Sequence, residues 1–140
     1  MALKKLSKKF LIKRMNLTDA GSISSYIKKE LTKLGVDPRI IRRVAIASYE
    51  AEINVVIHSY GGYCLFTVDG ETITLEFVDS GPGIVSIPQA MQSGFSTASD
   101  IAKTNGFGAG MGLPNIKNAS DEFDIKSSNK GTKLTIKFKV

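Results

Sequence analysis

Residues 105–115 read "NGFGAGMGLPN", with Gly106, Gly108, Gly110 and Gly112 at alternate positions. Each glycine costs roughly 0.5–1 kcal/mol relative to alanine inside a helix or strand, so four together argue against an element interior. Met111, Leu113 and Ile116 nevertheless stand where a helix could open. Glycines ahead of a helix let backbone N–H groups turn toward an anion, and the helix N-terminus adds roughly half a positive charge. The stretch is thus either a phosphate cradle or a flexible loop with no ligand. A P-loop would need Lys-Ser/Thr where Gly112 is followed by Leu113. A dinucleotide fingerprint would sit in an early βαβ unit, and this run comes late.

Working outward, the spacing predicts a helix over about 110–119 and strands over about 122–127 and 132–139. The last strand alternates Leu134, Ile136, Phe138 and Val140 against Lys133, Thr135, Lys137 and Lys139. Residues 93–108 are rich in Ser, Thr, Asn and Gly without periodicity and predict a mobile loop, with a short helix at 86–92 before it. Further upstream, "YCLFTV" and "TITLEFV" flank Asp69-Gly70-Glu71, a strong hairpin signal. Asp37 and Pro38 supply a cap and a first position for a helix to about Ile57, with Ile40, Ile41, Val44 and Ala47 as its apolar stripe. An earlier helix is expected from about 19 to Leu34, stopped by Gly35. Residues 8–14 are a first strand, although Leu3, Leu6 and Phe10 also fit one face of a basic amphipathic helix. The order β-α-α-β-β-α-β-β, with half-buried strands, predicts an α/β (α+β) two-layer sandwich. It would have one mixed, mostly antiparallel sheet and about three helices on one face. No repeat or linker divides residues 1–140, so a single domain is expected.

The composition narrows the class. A chain of 140 residues with 42% hydrophobic residues supports one core. No apolar run approaches the ~18–20 residues that span a bilayer, and no secretory signal is evident. The single cysteine, Cys64, excludes an intramolecular disulfide and fits a reducing cytoplasm, and one histidine with one cysteine argues against structural zinc. The net charge of +6 is confined to Lys4, Lys5, Lys8, Lys9, Lys13 and Arg14, since the remainder balances 13 acids with as many bases. This basic edge either discourages edge-to-edge strand pairing or docks an acidic partner. Nucleic acid and membrane are not expected as partners.

Three more constellations bear chemistry. In "VDSGPG", Asp79 leaves a strand into a turn containing Gly81 and Gly83. Its carboxylate could accept from an adenine amino group and would be unpaired against a guanine carbonyl, or the segment is only a tight turn. In "YEAEIN", Glu50 and Asn54 are four residues apart and share a helix face, while Glu52 lies about 200° round from Glu50. They could provide a carboxylate base and an oxygen ligand for magnesium, or form an ordinary polar helix surface. Gly131-Thr132, before the last strand, is a turn by default.

Taken together, "EAEIN" 50–54, "DSGPG" 79–83, "GFGAGMGL" 106–113 and "GT" 131–132 resemble the GHKL ATPase superfamily, the histidine-kinase-like ATPase fold. "NVVIHSYGG", "AMQSGFSTA" and "GMGLPNIKNASDEF" look like its anti-sigma regulatory factor and switch serine-kinase branch. The resemblance implies ATP and Mg2+ as cofactors. Asp79 would bind the adenine amino group with Thr132 assisting, and Gly81 and Gly83 would let the backbone approach the base. Asn54 would hold magnesium. Gly106, Gly108, Gly110, Met111, Gly112 and Leu113 would surround the phosphates, with a lid beginning near Gly94. Glu50 would be the catalytic base, and Lys103 would reach the terminal phosphate. The lid segment "STASDIAKTNG" carries no arginine to stabilise transition-state charge.

The implied activity is a serine/threonine kinase acting on a small regulatory protein of the antagonist (STAS-like) kind. The alternative is an ATP-gated module that binds a sigma factor or phosphatase without transfer. Small kinases of this branch are often dimers, so the resemblance also implies a homodimer. A histidine-kinase catalytic domain is disfavoured. The only histidine, His58, lies at the end of the helix carrying Glu50, where local packing or capping accounts for it.

Overall fold

The hairpin at Asp69-Gly70 sets the register of the whole sheet. In a computed structural model, which describes residues 3–16, 18–81, 91 and 112–140, strands β2 (Gly62–Gly70) and β3 (Thr72–Asp79) meet at Gly70, whose φ of 63° few other residues adopt without cost. Their register places Cys64 opposite Phe77, Phe66 opposite Leu75 and Val68 opposite Ile73. Strand β5 (Gly131–Lys139) continues these rows with Leu134, Ile136 and Phe138. One face of three strands is thereby apolar and buried. Strand β4 (Glu122–Ser128) pairs with β5, and β1 (Leu3–Ile12) pairs with β2. The sheet order is β1-β2-β3-β5-β4, and every pairing described is antiparallel. The α/β sandwich expected from the sequence is present, with a more uniform sheet than the mixed one anticipated.

Helices α1 (Ser22–Lys33), α2 (Pro38–His58) and α3 (Gly112–Ala119) supply the second layer. Asp37 caps α2 by accepting from the Arg39 N–H at 2.8 Å, with Pro38 at the first position. Helix α2 runs between α1 and α3 and buries Ile41, Val44, Ala47, Ala51 and Val55. Ile23, Ile27 and Leu31 of α1 join this core from one side, and Leu113, Ile116 and Ala119 of α3 from the other. Arg43 ties α2 to the end of α3, donating from Nε to the Ala119 carbonyl at 2.8 Å and pairing with Asp121 at 2.8 Å.

The N-terminal segment corrects two expectations. It is a strand, so the amphipathic helix is excluded. It spans Leu3–Ile12 rather than 8–14, because β2 offers a partner as far as Gly70 and its pairing stops at Gly62 opposite Ile12. Lys13 and Arg14 therefore lie in the turn that follows. As the edge strand, β1 carries its lysines against aromatic rings: Lys8 over Tyr26 at 5.6 Å and Lys9 over Tyr63 at 4.4 Å. Of the aromatics at and near β2, Phe66 is core, Tyr63 is half-buried and Tyr60 is exposed beneath Arg14.

Helix α1 begins at Ser22, later than expected. Its cap position is Gly21, which has no side chain to satisfy the first turn. The buried Glu52 of α2 does so instead, its Oε1 accepting from the Gly21 N–H at 3.1 Å. The short helix expected at 86–92 and the loop at 93–108 fall outside the described residues, except Met91, which packs against the core.

Candidate functional site

At the base end, Asp79 closes β3. Its Oδ1 accepts from the Thr132 backbone N–H at 3.1 Å. The Thr132 hydroxyl is engaged elsewhere, with Ser127 Oγ at 2.8 Å. Thr132 thus orients the Asp79 carboxylate through its backbone, and among the described residues no hydrogen bond engages Oδ2. Gly131 explains why Gly-Thr opens this strand. Its φ is 148°, and a Cβ there would overlap the Asp79 carbonyl oxygen. The Gly81 N–H donates to the Lys130 carbonyl at 2.6 Å, and a Cβ on Gly81 would come within 2.5 Å of the Asn129 carbonyl. The strand end, the glycine turn and the start of β5 are therefore one close-packed unit. Burial raises the Asp79 pKa above the usual carboxylate value, and the Thr132 N–H partly offsets this.

At the helix end, Glu50 and Asn54 share the face of α2 that meets α3. A Cβ on Gly112, the first residue of α3, would come 3.1 Å from Asn54 Oδ1 and 3.2 Å from its Nδ2. Gly112 is bare because the Asn54 amide lies against it. Glu50 is half-buried. Burial raises its pKa, and a side-chain hydrogen bond from Asn115 of α3 lowers it in part. A carboxylate raised in this way is a stronger proton acceptor than an exposed one. Leu113 turns its side chain into the core, so only its backbone is available to an anion at the start of α3.

The C-terminus of α2 links the two ends. Beyond it, the Tyr60 N–H donates to the Ser80 carbonyl at 3.3 Å and the Ser80 N–H to the Gly61 carbonyl at 3.0 Å. The turn after Asp79 is thus fastened to the helix that carries Glu50 and Asn54. His58, in the last turn of α2, has its pKa lowered by burial. Gly83, Lys103, Gly106, Gly108, Gly110 and Met111 lie outside the described residues, as does the expected lid. Among the described residues, no cluster of three His, Cys, Asp or Glu could hold a metal, and no helix is long and apolar enough to cross a membrane.

Sequence reasoning missed Asn115, Ser127 and the helix-capping role of Glu52. Each has a partner distant in sequence or is an ordinary polar residue on a regular element, so no local pattern marks it.

This arrangement, a helical layer over an antiparallel sheet with Glu50 and Asn54 of α2 against the start of α3 and Asp79 of β3 against the start of β5, has known counterparts. The chain belongs to the histidine kinase-like ATPase domain family, whose model it matches over residues 14–138. Within that family it is similar to anti-sigma F factors. It is 30% identical to the one from Clostridium acetobutylicum, over 96% of this chain and 93% of the relative. It is 32% identical to the one from Thermoanaerobacter sp., over 88% and 85% respectively. A shorter stretch, 40% of this chain and 37% of the relative, is 40% identical to the serine/threonine-protein kinase RsbT of Bacillus subtilis. The fold matches a crystal structure of the RsbU and RsbW domains of Rv1364c from Mycobacterium tuberculosis with a TM-score of 0.66 at 16% identity. That match covers 96% of this chain and 32% of the other.

Proposed function

We propose that the protein is an ATP-dependent serine/threonine kinase whose substrate is a small regulatory protein of the antagonist (STAS-like) kind. The observation that carries this reading is the pairing of Glu50 and Asn54 on one face of α2, against the start of α3, with Glu50 half-buried and bonded to Asn115. Asp79, fixed through Oδ1, accepts from the adenine amino group with Oδ2. The free N–H groups at the start of α3 face the phosphates. The Asn54 amide oxygen is a hard donor at that helix start, so Asn54 would hold a magnesium ion, which would supply neutralisation of phosphate charge. Glu50 accepts the proton of the attacking serine or threonine hydroxyl. A bond forms from that oxygen to the γ-phosphorus, the bond to the bridging oxygen breaks, and ADP leaves with the electron pair. Positioning and charge stabilisation supply most of such a rate enhancement.

A second reading has its own support. The relatives matched over nearly their whole length are named anti-sigma F factors, whereas the named kinase matches over a shorter stretch. In that reading ATP gates the binding of a partner such as a sigma factor, without significant transfer. The deciding experiment incubates the protein with γ-labelled ATP, magnesium and an extract of the source cells beside a Glu50→Gln control. A labelled band that vanishes in the control supports the kinase. No band, with ATP binding intact, favours the gated module.

A further inference from the structure

The nucleotide chemistry leaves unused a groove of about 470 Å³ between α1 and α2. It is lined by Lys28 of α1 and by Ile41, Arg42, Ile46, Tyr49 and Glu50 of α2. The α2 residues recur at helical spacing, so this helix presents a second stripe outward in addition to its core stripe. Ile46 and Tyr49 are 43% and 36% exposed, and they belong to the few large apolar side chains left open among the described residues. Tyr49 forms a fixed wall, because its ring lies against Gly21 at the start of α1, where a Cβ would be 3.3 Å from Cε1.

The charges in the groove are unbalanced. Three cations on these helices have acids: Arg39 has Asp37 at 3.0 Å, Arg43 has Asp121 at 2.8 Å and Lys33 has Glu30 at 3.3 Å, whereas Lys29, which does not line the groove, has none among the described residues. Lys28 and Arg42 have no such partner among the described residues. The groove thus offers two unpaired positive charges and an apolar wall, and at its inner end stands the carboxylate that the kinase reading makes the base.

We infer that this groove docks an extended acidic segment of the protein substrate and sets which hydroxyl reaches Glu50. The inference rests on the kinase reading for the role of Glu50, and on the groove itself for the partner's chemistry. An acid of the partner pairs with Lys28 and Arg42, and an apolar side chain lies between Ile46 and Tyr49. Glu50 repels acids from its own end, so the segment has one direction. Arg42 lies about 12 Å along α2 from Glu50, at a rise of ~1.5 Å per residue. That distance equals roughly three to four residues of extended chain at ~3.3 Å each. The acid therefore stands three or four positions from the phosphorylated residue. Exposed pairs of this kind contribute more to selection and association rate than to affinity.

The test uses a peptide library with a fixed serine or threonine and one varied position at each offset from it. Labelled phosphate transfer is measured with the full protein and with a Lys28→Glu/Arg42→Glu double variant. The expected result is at least a fivefold preference for Asp or Glu three or four positions from the hydroxyl. The double variant should invert it to Lys or Arg, with ATP affinity unchanged. Phosphorylation without an acidic preference, or with one that survives the double variant, overturns the proposal. If no peptide is phosphorylated, labelling of a protein in the cell extract decides the transfer reading, and retention of the same library on the immobilised protein with Mg-ATP decides the groove. Acidic peptides held by the native protein and released by the double variant sustain the docking surface. Retention indifferent to charge overturns it.

Discussion

Asp79 and Glu50 are both half-buried carboxylates with raised pKa values, but they are held in different ways. Asp79 sits in a backbone frame: a strand end, a glycine turn and the N–H of Thr132, all fastened by main-chain hydrogen bonds. Glu50 sits on a helix and is steadied by one side chain, Asn115, from a neighbouring helix. A backbone frame fixes one geometry and tolerates little change of sequence. A helix-to-helix contact through side chains can be retuned by single substitutions. In the proposed function, recognition of the base would fall to the sheet end and adjustable chemistry to the helix end.

Four substitutions sharpen or break that contrast. The largest effect is expected from Glu50→Gln, which should lower phosphoryl transfer by at least about 100-fold, the usual scale for a lost general base. Its ATP affinity should stay within about twofold, as single-turnover and binding assays would show. Transfer that persists in this variant would remove Glu50 from the chemistry. Next, Gly131→Ala forces a Cβ onto the Asp79 carbonyl at a positive φ, and should destabilise the fold by about 1–3 kcal/mol in urea denaturation. The strained frame should also bind ATP less well, and a variant of native stability and affinity would show the frame to be soft.

Asp79→Asn should weaken ATP binding by at least about tenfold, or ~1.4 kcal/mol, because the amide presents a donor where the adenine amino group needs an acceptor. The smallest effect is expected from Glu52→Gln. Burial raises the Glu52 pKa, and the Gly21 N–H lowers it in part. Its stabilising contribution is complete below the unfolded-state carboxylate pKa and is lost as pH rises through the folded value. The glutamine keeps an acceptor for Gly21 without a buried charge. Urea denaturation at pH 5 and pH 8 should then show a smaller loss of stability at the higher pH than in the native protein. An unaltered pH dependence would mean that Glu52 is not its source.

Much of the frame was legible because its signals are local. Asp69-Gly70 marks a hairpin by the backbone angles it permits, and Asp37-Pro38 marks a helix start by its cap. Glu50 and Asn54 were legible as a pair because helical spacing alone puts them on one face. The start of β1 was not, since an edge strand is as long as its partner allows and the lysines along it carry no end signal. Asn115 was not, because its meaning depends on Glu50, which only the packing of α2 on α3 brings near. Gly131 read as a turn by default, and the Asp79 carbonyl beside it shows why nothing larger fits. Local chemistry thus announces elements and faces, while long-range contacts decide which polar residues matter.

The most direct test of the divided site is isothermal titration of Mg-ATP against Asp79→Asn and Glu50→Gln side by side with the native protein. The division predicts a dissociation constant raised at least about tenfold for Asp79→Asn and within twofold of native for Glu50→Gln. Equal losses in both variants, or native affinity in Asp79→Asn, would contradict it.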